Sequence, residues 1–213
     1  MKSEPTTPLE LNALDREYIF LRFALMECGR AKSILDEVAR LAGLREVDEE
    51  CGIERREWLS IFDNIRAALH FAGSVSRIFF PPQASGAAGL RGDRLRQLTG
   101  IGDHHPIKDR ALRNHIEHMD ERMDEWTAES PRPFMTLEMT IDEDMFKITR
   151  DAVEASSPFL YYSETQDVVV FGDRFNLSTL KATLEDVRDR IVQGLKTYHL
   201  QIQAEEAAQS SGG

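Results

Sequence analysis

The chain is short of cysteine, of long apolar runs and, relative to its acids, of cations, and each shortage removes a class of protein. Cys28 and Cys51 are its only cysteines. Two are too few for a disulfide framework, and no zinc-type pair spacing surrounds them. Cys28 falls on an apolar helical stripe, where a reduced core thiol is the ordinary reading. No run approaches membrane-spanning length, and Met1 to Asn12 carries no apolar segment of the signal-peptide kind, so a cytoplasmic protein without a membrane anchor is expected. Lys and Arg together number 26 against 37 Asp and Glu, for a net charge of −11. An acidic surface repels phosphate, which argues against a general nucleic-acid coat but leaves room for a local basic site. Walker-A Gly-Lys-Ser/Thr, Gly-x-Ser-x-Gly and His-Glu-x-x-His are all missing, so neither a nucleotide loop nor a nucleophile elbow nor a zinc protease helix is expected.

What remains is an amphipathic, mostly helical text. Leu14, Tyr18, Leu21, Leu25, Cys28, Leu35 and Val38 trace one helical stripe, beginning near Asn12 or Asp15 and stopping at Gly43. Trp58, Ile61, Phe62, Ile65, Leu69, Ala72, Val75, Ile78 and Phe79 give a second helix a wide apolar face. Asp48 is placed to cap it, and Pro81-Pro82 ends it. Gln83 to Gly92 reads as a flexible connector of small residues, followed by a short helix from Asp93 to Leu98. Met135, Leu137, Met139 and Ile141 alternate as in a half-buried strand, and residues 159–163 and 168–171 predict a hairpin turning at 164–167. Asn176 or Ser178 caps a last helix whose buried stripe is Leu177, Leu180, Leu184, Val187, Ile191, Leu195 and Tyr198.

The expected fold is therefore α+β and predominantly α. A helical bundle carries a small antiparallel hairpin or sheet before the C-terminal helix. One domain over residues 12–205 is expected, its helical core at 12–128 and 177–205 and its β insertion at 134–172, with flexible ends at 1–11 and 206–213.

The chemistry concentrates in one stretch. Leu112, Ile116, Met119, Met123 and Trp126 recur at steps of four and three, which predicts a helix opening at Pro106 with these residues on its buried side. Arg110, Asn114, Glu117, His118, Glu121 and Glu125 fall on the other side, and four of the six histidines lie between His104 and His118. From Arg91 to His118 six Lys or Arg oppose four acids, whereas from Asp120 to Asp144 nine acids oppose two arginines. The histidines sit on the positive side of that polarity. Arg-x4-His occurs twice, at Arg110 to His115 and at Arg113 to His118, where chance gives roughly half a match in a chain of this composition.

The second match reads Arg113-Asn114-His115-Ile116-Glu117-His118. It resembles the signature of the HEPN superfamily: Arg, a polar residue that is often Asn, three more residues, then His, late in a helical bundle. The order of long helix, long helix, loop and motif helix over residues 12–128 is similar as well. The resemblance implies metal-independent cleavage of RNA, with two copies of the motif meeting across a homodimer and no cofactor. On that reading His118 serves as acid or base, Arg113 binds phosphate and Asn114 orients the motif or the substrate, with Arg110 and His115 secondary. The chemistry stands on its own terms. A histidine titrates in the working range and a guanidinium holds nonbridging phosphate oxygens. Five residues put Arg113 and His118 roughly 140° apart around a helix, so facing copies are the natural way to bring the two groups together.

Other readings compete. Arg113 can pair with Glu117, and His118 with Arg122 or Asp124, on a merely solvated face, which leaves a noncatalytic interaction or regulatory module. His115 and His118 at i,i+3 suggest a metal, but no Glu-x-x-His motif accompanies them and none is expected. The acidic stretch 120–144 is ordinarily a solvated surface and otherwise a dock for a basic regulatory protein, as in a toxin and its controlling partner.

Overall fold

Leu21, Ala24, Cys28, Ala31, Leu35 and Val38 are buried along α1 (Ala13–Gly43), at steps of three and four. This is the repeat by which one helix seats its knobs between those of its neighbours, and here the neighbours are α2 (Glu54–Phe79) and α5 (Leu177–Ser211). Tyr18 and Leu25 of the expected stripe are half-buried, while Ala24 and Ala31 lie fully inside. A computed structural model describes residues 13–43, 54–83, 85–109, 111, 114, 118–129, 138–141 and 153–211. Cys51, the proposed cap Asp48 and the strand residues Met135 and Leu137 lie outside these.

The second and last helices follow their predicted stripes. Ile61, Phe62, Ile65, Leu69, Ala72, Val75, Ile78 and Phe79 of α2 are buried, as are Leu177, Leu184, Val187, Ile191, Leu195 and Tyr198 of α5, with Leu180 half-buried. Asn176 is the cap: its Oδ1 accepts the Thr179 amide at 2.9 Å. The last helix continues to Ser211, past the expected boundary at 205.

The connector expected at Gln83 to Gly92 is instead helix α3 (Gly86–Thr99) from Gly86 onward. Its glycines permit close packing rather than flexibility. A Cβ on Gly92 would stand 2.8 Å from the Phe79 carbonyl oxygen and from Pro81 Cδ, so only glycine lets α3 lie against the end of α2. Gly194 of α5 comes similarly near the other end of α3, where a Cβ would meet Leu98 O and Thr99 Cγ2 at 3.1 Å. Gly100 closes α3 in the left-handed region at φ 67°.

Four strands, β1 (Glu138–Ile141), β2 (Phe159–Tyr162), β3 (Asp167–Val170) and β4 (Asp173–Asn176), form a sheet in that order. The predicted hairpin is β2–β3, with Leu160 opposite Val169. Two features were not expected. The sheet is mixed, because β1 runs parallel to β2 rather than antiparallel. A fourth strand comes after a two-residue turn, Phe171-Gly172, with both residues at positive φ (51° and 88°). Phe159, Tyr161, Val168 and Val170 face the bundle core, where the Phe62 and Phe159 rings meet edge to face at 5.7 Å. Leu160, Tyr162 and Val169 face a second cluster with Ile141 and Val153. Apolar residues on both sheet faces explain why β2 reads Phe-Leu-Tyr-Tyr without alternation.

Candidate functional site

Pro106 does not open the motif helix. Pro106–Lys108 is a single 3-10 turn, with Ile107 buried and Asp109 leaving it in extended conformation (φ −60°, ψ 128°). Asp109 caps the motif segment, since its Oδ1 accepts the Ala111 amide at 2.9 Å. Ala111 and Asn114 have helical backbone. The His118 amide donates to Asn114 O, and the Arg122 amide to His118 O, both at 3.0 Å, carrying the chain into α4 (Met119–Glu129).

Asn114 and His118 are both solvent-exposed. His118 Nδ1 lies 3.4 Å from Glu121 Oε2, one turn further on. Glu121 thus takes the place expected for Arg122 or Asp124. Arg122 pairs with Glu125 at 2.9 Å. Arg110, Arg113 and His115 lie outside the described residues, as do Leu112 and Ile116. The expected buried stripe is weaker than its spacing suggested. Met119, Met123 and Trp126 are only half-buried, no residue of α4 is buried, and Met119 alone of these packs against the main core. Of the polar side, the described Asn114, His118, Glu121 and Glu125 are all open to solvent.

The turn before the motif is firmly seated. His105 accepts the Ile107 amide at Nδ1 (3.2 Å), which leaves the ring proton on Nε2, 2.8 Å from Asp186 Oδ2 on α5. Arg190 Nε donates to the same oxygen at 2.7 Å and Arg190 Nη1 to Gly100 O at 2.9 Å. Hydrogen bonds from Arg190 and then from His105 hold the Asp186 carboxyl below its ordinary pKa. With its side chain 8% exposed and both nitrogens engaged, His105 is a structural residue that anchors the approach to the motif. His104 beside it is exposed.

The basic run is less of a phosphate track than its composition suggested. Arg94 pairs with Glu17 at 3.2 Å, and Arg96 with Asp93 at 2.5 Å and Asp103 at 3.5 Å while donating to Phe79 O. Arg91 lies over the Phe20 ring at 4.3 Å, and Lys108 over Phe80 at 5.7 Å. These cations tie α3 and the Pro106–Lys108 turn to the bundle. Among the described residues no group of three or more His, Cys, Asp or Glu is arranged to hold a metal. No described helix is long and apolar enough to cross a membrane.

Glu121, Asp109 and Asp186 escaped the sequence reading as functional neighbours. The first two carried local signals, an acid at i+3 from His118 and an Asp ahead of a helix. Asp186 had none, being 81 residues from His105. No protein-family model matches the chain, and neither a curated protein nor a solved structure matches it.

Proposed function

We propose that the chain is a HEPN-like endoribonuclease that cleaves RNA without a metal as a homodimer, in the setting of a cytoplasmic toxin or defence component. The observation that carries the reading is the exposed His118 imidazole, with the Glu121 carboxylate 3.4 Å from its Nδ1 and the exposed Asn114 one helical turn before it. An imidazole with a carboxylate near one nitrogen and solvent at the other can take or give a proton there. The 2′-hydroxyl attacks the adjacent phosphorus while a base removes its proton and an acid protonates the leaving oxygen. His118 fills one of these roles. Arg113 stabilises the charge developing on the nonbridging oxygens, assisted by Arg110 and His115. The acids of α4, among them Asp120, Glu121, Asp124 and Glu125, repel phosphate. RNA is therefore expected to be held by the cations that precede α4 in the sequence, Arg110 and Arg113, rather than by α4 itself. The test is cleavage of labelled RNA in EDTA by the wild type, Arg113→Ala and His118→Ala. Loss in both variants with folding retained supports the reading, and equal cutting by all three refutes it.

A second reading, a noncatalytic interaction module, is favoured by α1. Ile19, Phe23 and Met26 are 50%, 44% and 42% exposed on one face of that helix, a stripe that suits a protein partner. Inactivity of all forms on several RNAs, tRNA included, would favour this module.

A further inference from the structure

Between α2 and α5 lies a groove of about 300 Å³, lined also by Pro106 and Ile107 of the 3-10 turn and by Arg174, Phe175 and Asn176 of β4. Small residues make it. Ala72, Gly73 and Ser76 line it from α2, and Thr179 and Thr183 from α5, while Leu69, Ile107, Phe175 and Leu180 give it an apolar bed. The volume is at the lower end of the range for small-molecule sites.

The polar groups along it divide into those already satisfied and those not. Asn176 donates to Thr165 O and Asp167 and accepts from Thr179. Thr183 donates to Thr179 O at 2.9 Å. Arg174 is held by Asp167 at 3.0 Å and by Glu154, so two carboxylates offset its charge. Ser76 differs. It is 3% exposed, and its hydroxyl has no hydrogen-bond partner among the described residues. A buried hydroxyl without a partner is costly, and a molecule seated in the groove can supply the bond. Asp109 lines the same groove, and among the described residues only its Oδ1 is engaged, by the Ala111 amide. With Arg174 offset, the charge left among the described lining residues is negative, and the Asp109 carboxylate and the Ser76 hydroxyl can each accept a hydrogen bond.

We propose that this groove is a binding site for a small cationic amphiphile, an apolar body carrying a protonated amine. The apolar part lies on Leu69, Phe175 and Leu180 and the amine is held by Asp109 and Ser76. The assignment stands apart from the nuclease reading.

Calorimetric titration of the full chain with 4-phenylbutylamine, 4-phenylbutanol and 4-phenylbutyrate tests it. Binding is expected in that order of strength, the amine ahead of the alcohol by about tenfold, as for one charge-assisted hydrogen bond. Asp109→Asn, which still caps the helix, should shrink that lead to about twofold or less. Thr183→Leu fills the groove and should abolish binding at an unchanged thermal midpoint. Should that variant fold poorly, Ser76→Ala is decisive, weakening the amine and the alcohol alike by about threefold or more. The proposal is overturned if the amine gives no saturable binding at millimolar concentration, if the carboxylate binds tightest, or if the amine binds equally well after groove filling or loss of the Ser76 hydroxyl.

Discussion

His105 Nε2 and Asp186 Oδ2 stand 2.8 Å apart, joining the turn before the motif to the last helix of the bundle. Arg190 shares the same carboxylate oxygen. A carboxyl whose pKa is lower folded than unfolded adds stability that is whole above its ordinary value of 3.8 and is lost as pH falls through the folded value. Asp186 therefore stabilises the chain at neutral pH and ceases to do so in acid. Urea unfolding of Asp186→Asn should show lower stability than wild type at pH 7 and a smaller further loss between pH 5 and about pH 3. Parallel pH profiles for the two proteins would show that the link adds nothing.

Two glycines on helices should respond oppositely to alanine. A Cβ at Gly92 meets the Phe79 carbonyl and the Pro81 ring at 2.8 Å, so Gly92→Ala should cost about 1–3 kcal/mol as α3 is pushed off α2. At Gly29 nothing lies within 4 Å of the added carbon, and Gly29→Ala should gain about 0.5–1 kcal/mol by helix propensity. Denaturant midpoints of the two variants check both signs.

Tyr161 buries its ring fully, and its hydroxyl has no partner among the described residues. Burial alone pushes its pKa up to about 12. Removing an unsatisfied buried hydroxyl is neutral or favourable, so Tyr161→Phe should change stability by between zero and about +1 kcal/mol. A loss of more than about 1 kcal/mol would show that the hydroxyl is satisfied after all.

The three long helices were legible because their apolar residues keep a helical period that tertiary packing reinforces, from Leu21 to Val38, Ile61 to Phe79 and Leu177 to Tyr198. Helix α3 was not, because Gly86, Gly89 and Gly92 look like a linker until the close approach to Phe79 and Pro81 is seen. Strand β4 was hidden by its turn. Phe171 at φ 51° is a conformation few large residues adopt, and here its ring packs against the main core. Proline at 106 suggested a helix start, but the buried Ile107 and the Asp109 cap move that start beyond the 3-10 turn. Within the site, the exposure of Asn114 and His118 agrees with the helical pattern. The seating of the preceding turn depends on Asp186 and Arg190, which are far away in sequence.

If each site takes its arginine from one protomer and its histidine from the other, inactive variants should complement. Refolding an equimolar mixture of Arg113→Ala and His118→Ala should restore about a quarter of wild-type cleavage, since half the dimers are mixed and each mixed dimer holds one intact site. Activity no higher than that of the separate variants would place both groups in one chain or remove them from catalysis.

The most direct test of the central claim is the chemistry of the cut ends. End-labelled RNA incubated with the purified chain in EDTA should yield fragments ending in a 2′,3′-cyclic phosphate. A 2′-deoxy nucleotide at the cut position should block cleavage, and His118→Ala should produce no fragments. Cleavage that survives the deoxy substitution or the loss of the His118 imidazole, or a wild-type chain that cuts no RNA offered, would contradict it.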